Sequence, residues 1–244
     1  MNKITNILIL LDLTILVLAS PLSYAAGTGI CTPVGGVHVF NYDGTHDVTE
    51  RAQDAAGTNL GQVFSYNLGG SYKMTCDGGN SHPGWIHQDS PLTVYKVIDD
   101  VTWFKLNDYL AASFQGWVGG SVNKFFDLPF TQSDKLTGNI SSWSSGSKGK
   151  ISLMIIKPFV GFSAINTLAA YTSIAVTSQG ESNALLAPHA SELWVQIQVN
   201  VPQSCELDTG TTIRMDFGNI GAPLFSQAGA GNKPAGVNPQ THTV

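Results

Sequence analysis

The sequence predicts an all-β fold, built as a sandwich or barrel of short strands. Segments that alternate polar with apolar residues, and that are rich in β-branched and aromatic types, dominate the chain. Turn-forming residues separate these segments at intervals of about 8 to 15 residues, which is typical of sandwiches and barrels. The chain also holds 26 glycines among 244 residues, which indicates many turns and few helices.

Each predicted strand is a short alternating or β-branched run between turn residues. The last one has the cleanest alternation, with Leu193, Val195, Ile197, Val199 and Val201 on one face. Residues 103–114 fit either a helix or a strand, and residues 138–149, rich in Ser and Gly, indicate an exposed loop. The predicted strands are 37–42, 62–66, 72–76, 92–97, 125–130 (interrupted by Pro129), 150–156, 173–177 and 193–201.

The first 25 residues predict a secretory signal. Lys3 supplies the positive start, residues 7–18 form the apolar stretch, and small residues precede a cut after Ala25. The alternative is a membrane anchor, but the run is shorter than the roughly 20 residues that span a bilayer, and it contains Asp12. We therefore expect an exported protein with no membrane insertion.

Composition and motifs exclude several classes of function. The formal charge of −5, with only 12% charged residues, argues against nucleic acid as a partner, because such binding needs clustered Lys and Arg. The sequence has no Gly-x-Ser-x-Gly, no His-Glu-x-x-His and no glycine-rich phosphate loop. We expect neither an enzyme nor a bound cofactor.

Three cysteines, Cys31, Cys76 and Cys205, leave one without a partner in an exported chain. A Cys31–Cys76 disulfide is expected, although metal ligation or a reactive thiol are the alternatives for this pair. The bridge would contribute roughly 3–4 kcal/mol. Cys205 is then a free thiol, an intermolecular bridge, or the start of a domain whose second cysteine lies beyond Val244. It follows a linker-like Val201-Pro202, so we favour the last option.

These residues carry a resemblance to a known family. A signal is followed by Cys31-Thr32-Pro33-Val34-Gly35-Gly36, and a second cysteine, Cys76, precedes a polar segment. The final alternating strand runs into Val201-Pro202 and then Cys205. Residues 211–218, ending Met-Asp-Phe-Gly, resemble the first strand of a fimbrial pilin domain. The chain thus resembles the two-domain tip adhesins of chaperone–usher fimbriae, of the type 1 mannose-binding kind.

The resemblance implies a domain order and a set of partners. Residues 1–25 would be the signal, 26–202 a lectin-like β-sandwich of immunoglobulin-like or jelly-roll type, and 203–244 the beginning of an incomplete immunoglobulin-like pilin domain. Such a domain, when complete, receives a strand from a periplasmic chaperone and then from the next subunit, with an usher assembling the fimbria. The implied function is attachment to host cells through surface glycans, from a fimbrial tip. The alternative is a structural or protein-binding tip subunit.

The resemblance also points to two polar segments, both predicted to be loops, as the binding site. Mannose-binding relatives use an Asn-Asp pair just after the second cysteine and an Asp further on. The nearest candidates here are Asp77, Asn80 and Asp89, although the Asn-Asp pair itself is absent. Acidic and amide groups bind sugar hydroxyls, while aromatic groups cover the apolar ring face. The full set of candidates is Asp77, Asn80, Trp85, His87 and Asp89 in the first segment, and Gln179, Glu181 and Asn183 in the second.

Tyr42, Trp117 and Trp143 are further aromatic candidates for stacking on a sugar. We expect only Trp143 to be exposed, because it lies in the Ser-rich stretch. A metal held by His82 and His87 with a nearby Asp is the other possibility for the first segment. The spacing matches no standard metal-binding pattern, so no metal is expected.

Overall fold

The computed structural model describes residues 28–77, 83–137, 142–178 and 181–202. The predicted signal, Cys205 and the pilin-like strand lie outside these ranges. The described residues belong to one contact unit, which extends to Gln203.

The described chain is almost entirely β-structure, which confirms the predicted fold class. A 3₁₀ turn covers Arg51–Asp54, and one short helix, α1, covers Ser182–Leu186. The strands are β1 (Cys31–Pro33), β2 (His38–Asp47), β3 (Asn59–Asn67), β4 (Met74–Cys76), β5 (Pro83–Asp89), β6 (Val94–Ile98), β7 (Val101–Lys105), β8 (Leu110–Val118), β9 (Lys124–Asp127), β10 (Phe130–Thr137), β11 (Lys148–Ile155), β12 (Gly161–Val176) and β13 (His189–Val201).

The strands form two main sheets and a small ribbon. The first sheet has the order β10-β5-β12-β13-β2, and the second has the order β3-β11-β8-β7-β6 with β9 paired to β8. Neighbouring strands are antiparallel except β13 and β2, which run parallel. The ribbon pairs β1 with β4.

The core lies between the two sheets. Alternation places Leu193, Val195 and Ile197 of β13 on the inner face, where they are almost fully buried. The second sheet contributes Phe114 and Leu153 to the same cluster. Because strand side chains alternate between faces, the intervening residues remain available on the two outer faces.

The structure decides the secondary structure of one segment and extends the predicted length of another. Residues 103–114, which fitted either type of element, form strands β7 and β8 joined by a short turn. The predicted strand 173–177 is only the end of β12, which begins at Gly161. Irregular pairing between Leu168 and Ala170 shifts the alternation of β12, so its first half does not read as one periodic strand.

The predicted disulfide is confirmed. Cys31 and Cys76 face each other across the β1–β4 ribbon and are bonded. Cys31 is fully buried, because β1 packs on β12 and β13. The bridge therefore ties the beginning of the described chain to the strand that precedes the first candidate binding segment.

Among the described residues, no helix has the length and apolar character needed to cross a bilayer.

Candidate functional site

The first candidate segment is largely a strand, where the sequence indicated a polar loop. Residues 83–89 form β5, between β10 and β12 in the first sheet. Trp85, His87 and Asp89 therefore share the outer face, while Ile86 and Gln88 point into the core. The loop prediction was wrong because the polar residues of this segment lie in a paired strand, where His87 and Gln88 are buried and Asp89 is partly buried.

An open recess of about 590 Å³ lies on the outer face of the first sheet, beside helix α1. Three strands, the turn before β10 and the helix all contribute to it. We call it the β5 recess. Its lining residues are His87, Asp89, Pro129, Phe130, Thr131, Tyr171, Glu181 and Leu185. The structure thus brings three predicted site residues, His87, Asp89 and Glu181, into one surface.

His87 lies in the wall of the β5 recess. Its Nδ1 atom is 3.0 Å from the Thr131 hydroxyl, and its ring meets the Tyr171 ring edge-on, with 6.1 Å between centroids. Burial lowers the pKa of His87, and the Asp89 charge offsets this only in part. At neutral pH the imidazole is therefore mainly uncharged, and it can donate or accept a hydrogen bond.

Tyr171 is the aromatic centre of this surface. Its ring stacks on the His189 ring, with centroids 4.0 Å apart and planes inclined by 14°. His189 is in turn 3.0 Å from Glu192, which also accepts a hydrogen bond from the Trp194 indole at 3.2 Å. The hydrogen bond from His189 lowers the pKa of Glu192. The stacked rings of Tyr171 and His189 are therefore held in place by the hydrogen bond between His189 and Glu192.

The charge around the β5 recess is negative. Asp89 and Glu181 line it, and Glu192 lies on the adjacent strand. No Lys or Arg is among the described residues that line it. Burial, together with the Asp89 charge, raises the pKa of Tyr171, so its hydroxyl stays protonated and can donate. Carboxylate acceptors, a neutral imidazole and a phenol suit a ligand with several hydroxyl groups.

Two other predicted residues, Asp77 and Asn183, lie near one another but are engaged within the protein. The Thr28 hydroxyl donates to both carboxylate oxygens of Asp77, at 2.9 and 2.7 Å. The amide of the buried Asn183 donates to the Thr28 carbonyl. The two side chains thus fasten the beginning of the described chain to β4 and α1. Asp77 remains exposed, and its carboxylate has further capacity to accept.

The remaining predicted residues fall into two groups. Asn80, Gln179 and the metal candidate His82 lie outside the described residues. Trp85 is half-buried on the outer face of β5 and does not line the recess. Within the described ranges, no group of three or more His, Cys, Asp or Glu side chains is placed to hold a metal ion.

The three aromatic candidates are not part of the β5 recess. Trp143, expected to be exposed, is 4% exposed, because its backbone pairs with Tyr72 and its ring packs into the core. Tyr42 packs against Phe64 and Tyr66. Trp117 lies on the second sheet, with the Lys148 ammonium 3.7 Å from the centre of its ring.

Sequence reasoning missed Pro129, Phe130, Thr131, Tyr171 and Leu185 as lining residues. All five come from elements that only the tertiary structure brings beside β5. The irregular pairing of β12 also concealed that Tyr171 faces outward, directly opposite Asp89. Pro129-Phe130, which follows a short apolar run, was the one local signal of a chain reversal at this place.

Comparison with known proteins confirms the fimbrial resemblance. No protein-family model matches. The chain is 29% identical over 216 residues to Protein LpfD of Salmonella typhimurium, covering 82% of this chain and 59% of that protein. It is 36% identical over 162 residues to the type 1 fimbrin D-mannose specific adhesin of the same organism, covering 64% of this chain and 46% of that protein.

Among solved structures, the receptor-binding domain of the adhesin MrkD1P of Klebsiella pneumoniae superposes with a TM-score of 0.42 at 14% identity. The match covers 72% of this chain and 98% of that domain.

The second of these relatives is a fimbrial adhesin, and a third, the probable minor fimbrial subunit LpfD of Escherichia coli O157:H7, is 26% identical over 222 residues, covering 87% of this chain and 62% of that protein. The similarity confirms the location that the resemblance implied, at the bacterial surface after export through the periplasm. This chain spans about half to three fifths of the length of these relatives.

Proposed function

We propose that the described domain is the receptor-binding part of a fimbrial tip adhesin, and that it attaches the bacterium to host cells by binding a surface glycan in the β5 recess. The similarity to fimbrial adhesins supports the adhesive role. The convergence of His87, Asp89, Tyr171 and Glu181 on one open surface supports the ligand class. Sites of this kind combine an apolar wall with a few placed polar groups.

The charge of the recess narrows the ligand to a neutral glycan. Asp89 and Glu181 have no cation beside them among the described lining residues, and His87 is mainly neutral. A sialic acid or sulfate would meet two carboxylates at close range, and such like-charge contacts disfavour binding. Hydroxyl groups, in contrast, can donate to both carboxylates and accept from Tyr171 or His87.

Affinity for a single sugar should be weak. The recess is open, so a bound sugar keeps much of its contact with water, and few polar contacts must offset desolvation and ordering. Many tips on one cell then raise the overall avidity without any new contact. Loss of one good hydrogen bond should therefore be visible in whole-cell attachment.

We also propose the domain division and partners that the sequence suggested. Residues 1–25 would be the signal, 26–202 the binding domain, and 203–244 the beginning of a pilin domain. A periplasmic chaperone, an usher and the next subunit would be partners of the complete pilin domain through strand addition.

A glycan array probed with the full chain tests the proposal. Asp89→Asn and Glu181→Gln each remove a charge and keep the side-chain shape. The asparagine amide would still offer an oxygen to the Ser90 backbone N–H, which now donates to Asp89. Each change should weaken binding about tenfold, because hydrogen bonds to a charged group contribute about 1.5–3 kcal/mol. Asp100→Asn, the same chemical change on the second sheet, should leave array binding at wild-type strength.

Two results would contradict the proposal in different ways. Full binding by both recess variants would show that the glycan binds elsewhere. Attachment to host cells without binding to any arrayed glycan would favour the protein-binding or structural alternative. Sialylated glycans that bind as well as their neutral counterparts would refute the charge argument alone.

A further inference from the structure

A second apolar cluster lies outside the main core, on the outer face of the second sheet. Trp103, Ala111 and Met154 are each no more than 4% exposed, although their strands turn the opposite side chains, such as Phe104 and Leu153, into the core. Ile98, Val101 and Ile156 pack against them. The outer face of this sheet therefore has an apolar floor, where an ordinary solvent-facing sheet has polar residues.

A groove of about 480 Å³ opens above this floor. Its size lies within the usual range of small-molecule sites, about 300–1,000 Å³. Ser113 and Ser152 sit side by side on β8 and β11, and Gln115 donates to Asp127 at 2.8 Å. We call this the outer groove. Its polar lining residues are Asn59, Asp99, Ser113, Gln115, Asp127 and Ser152, around Trp103 and Met154.

The turn that carries Asp99 holds its carboxylate at the edge of the groove. Asp99 and Asp100 join β6 to β7 in a two-residue hairpin, and both have positive φ, of 48° and 63°. Asp tolerates this left-handed conformation better than most side chains do. Within the described part of the chain, no hydrogen bond or ion pair engages the Asp99 carboxylate, which faces the groove.

We propose that the outer groove is a second saccharide site, which binds one neutral pyranose residue independently of the β5 recess. The carboxylates of Asp99 and Asp127 accept from sugar hydroxyls. The amide oxygen of Gln115 remains able to accept, because its nitrogen serves Asp127. The apolar edge of the sugar ring contacts Ile98 and Val101, the partly exposed apolar residues of the lining.

The arrangement favours a sugar over a cation or an anionic ligand. Among the described residues, no group of three or more acidic, His or Cys side chains is placed to hold a metal ion. The described lining holds no Lys or Arg that would pair with a sulfate or carboxylate. What remains is a set of acceptors and hydroxyls round an apolar floor, which matches a neutral polyhydroxyl ring.

Methyl groups of isotope-labelled methionine provide a local readout in the full chain. Met154 lies in the groove floor, so its NMR signal should shift saturably when methyl pyranosides are titrated. The probes are methyl α-mannoside, methyl β-galactoside and methyl β-glucoside, with N-acetylneuraminic acid as the anionic comparison. At least one neutral probe should shift the signal, and the anionic probe should not.

Two glycine variants in the β6–β7 turn distinguish a loss of sugar binding from a loss of folding stability. Asp99→Gly removes the groove carboxylate and relieves the strain at positive φ, and it should weaken the response of Met154 tenfold or more. Asp100→Gly makes the same change in the same turn at a residue that does not line the groove, and it should alter affinity less than twofold. Thermal unfolding should show both variants to be equally stable.

Three outcomes would overturn the proposal: no response of Met154 to any neutral probe, equal effects of the two glycine variants, or equal binding of the anionic probe. A response that Glu181→Gln weakens about tenfold would place the sugar in the β5 recess and also refute it. A response of unchanged affinity in Glu181→Gln supports a site independent of the β5 recess. Refutation of the outer-groove proposal would leave the array test of the β5 recess unaffected.

Discussion

The Cys31–Cys76 bridge gives the most quantitative prediction. Replacing both cysteines with alanine removes the bond that closes the β1–β4 ribbon. Cys205→Ser serves as the common background, so that the third cysteine cannot form new disulfides in either protein. The substitution changes little packing, because alanine differs from cysteine by one sulfur atom, although Cys31 is fully buried.

The expected loss follows from the length of chain that the bridge closes. A separation of 45 residues corresponds to about 4 kcal/mol of lost constraint on the unfolded chain. That is roughly a thousandfold increase in the unfolded-to-folded ratio. For a guanidinium slope of about 4 kcal/mol/M, the unfolding midpoint should fall by about 1 M.

Guanidinium unfolding followed by tryptophan fluorescence measures this shift, in non-reducing buffer. The bridged background protein, after reduction with a thiol reagent, should unfold at nearly the same midpoint as the alanine variant. A midpoint change of less than a quarter of the expected value would refute the loop-constraint argument. It would mean that the packing of β1 on β12 and β13, and not the bridge, holds this segment.

Two further predictions concern the sheets. His87→Gln should reduce the loss of folding stability that the wild-type protein shows on acidification. Burial lowers the pKa of His87 in the folded protein below its unfolded value of about 6.5. Protonation of His87 therefore does not destabilise the fold above about pH 6.5, and its destabilising effect grows as the pH falls from there toward the folded pKa. Thermal unfolding at pH 7.5 and 5.5 checks this, and a wild-type difference equal to that of the variant would contradict it. Gly149→Ala should cost about 1–3 kcal/mol, because a Cβ there would lie 2.4 Å from the Gln115 carbonyl oxygen and 2.3 Å from the Tyr66 hydroxyl. Gly119→Ala is the matched control, because its Cβ would lie no closer than 3.8 Å to any neighbouring atom. Equal unfolding midpoints for the two variants would contradict the close approach of Gln115 and Tyr66 to Gly149.

The sequence determined the features that depend on local pattern. The alternation of residues 193–201 specified both the strand and its buried face, because side chains in a strand alternate wherever the strand is placed. The pairing of Cys31 with Cys76 followed from cysteine number and export. Two candidate residues of the segment after Cys76, His87 and Asp89, line the recess, and their role in binding stays a prediction.

Only the tertiary structure decided which side chains meet. Tyr171 joins Asp89 because β12 pairs with β5 in one register, and a shift by one residue would turn Tyr171 into the core. Trp143 is buried because its backbone pairs with Tyr72, although its neighbours are typical of an exposed loop. The outer groove draws on strands from β3 to β11, which are far apart in sequence: β3, β6, β7, β8, β9 and β11, with the β6–β7 turn. Strand pairing of this kind is set by non-local packing, so a local pattern gives the strands and their faces but not the sites formed between them.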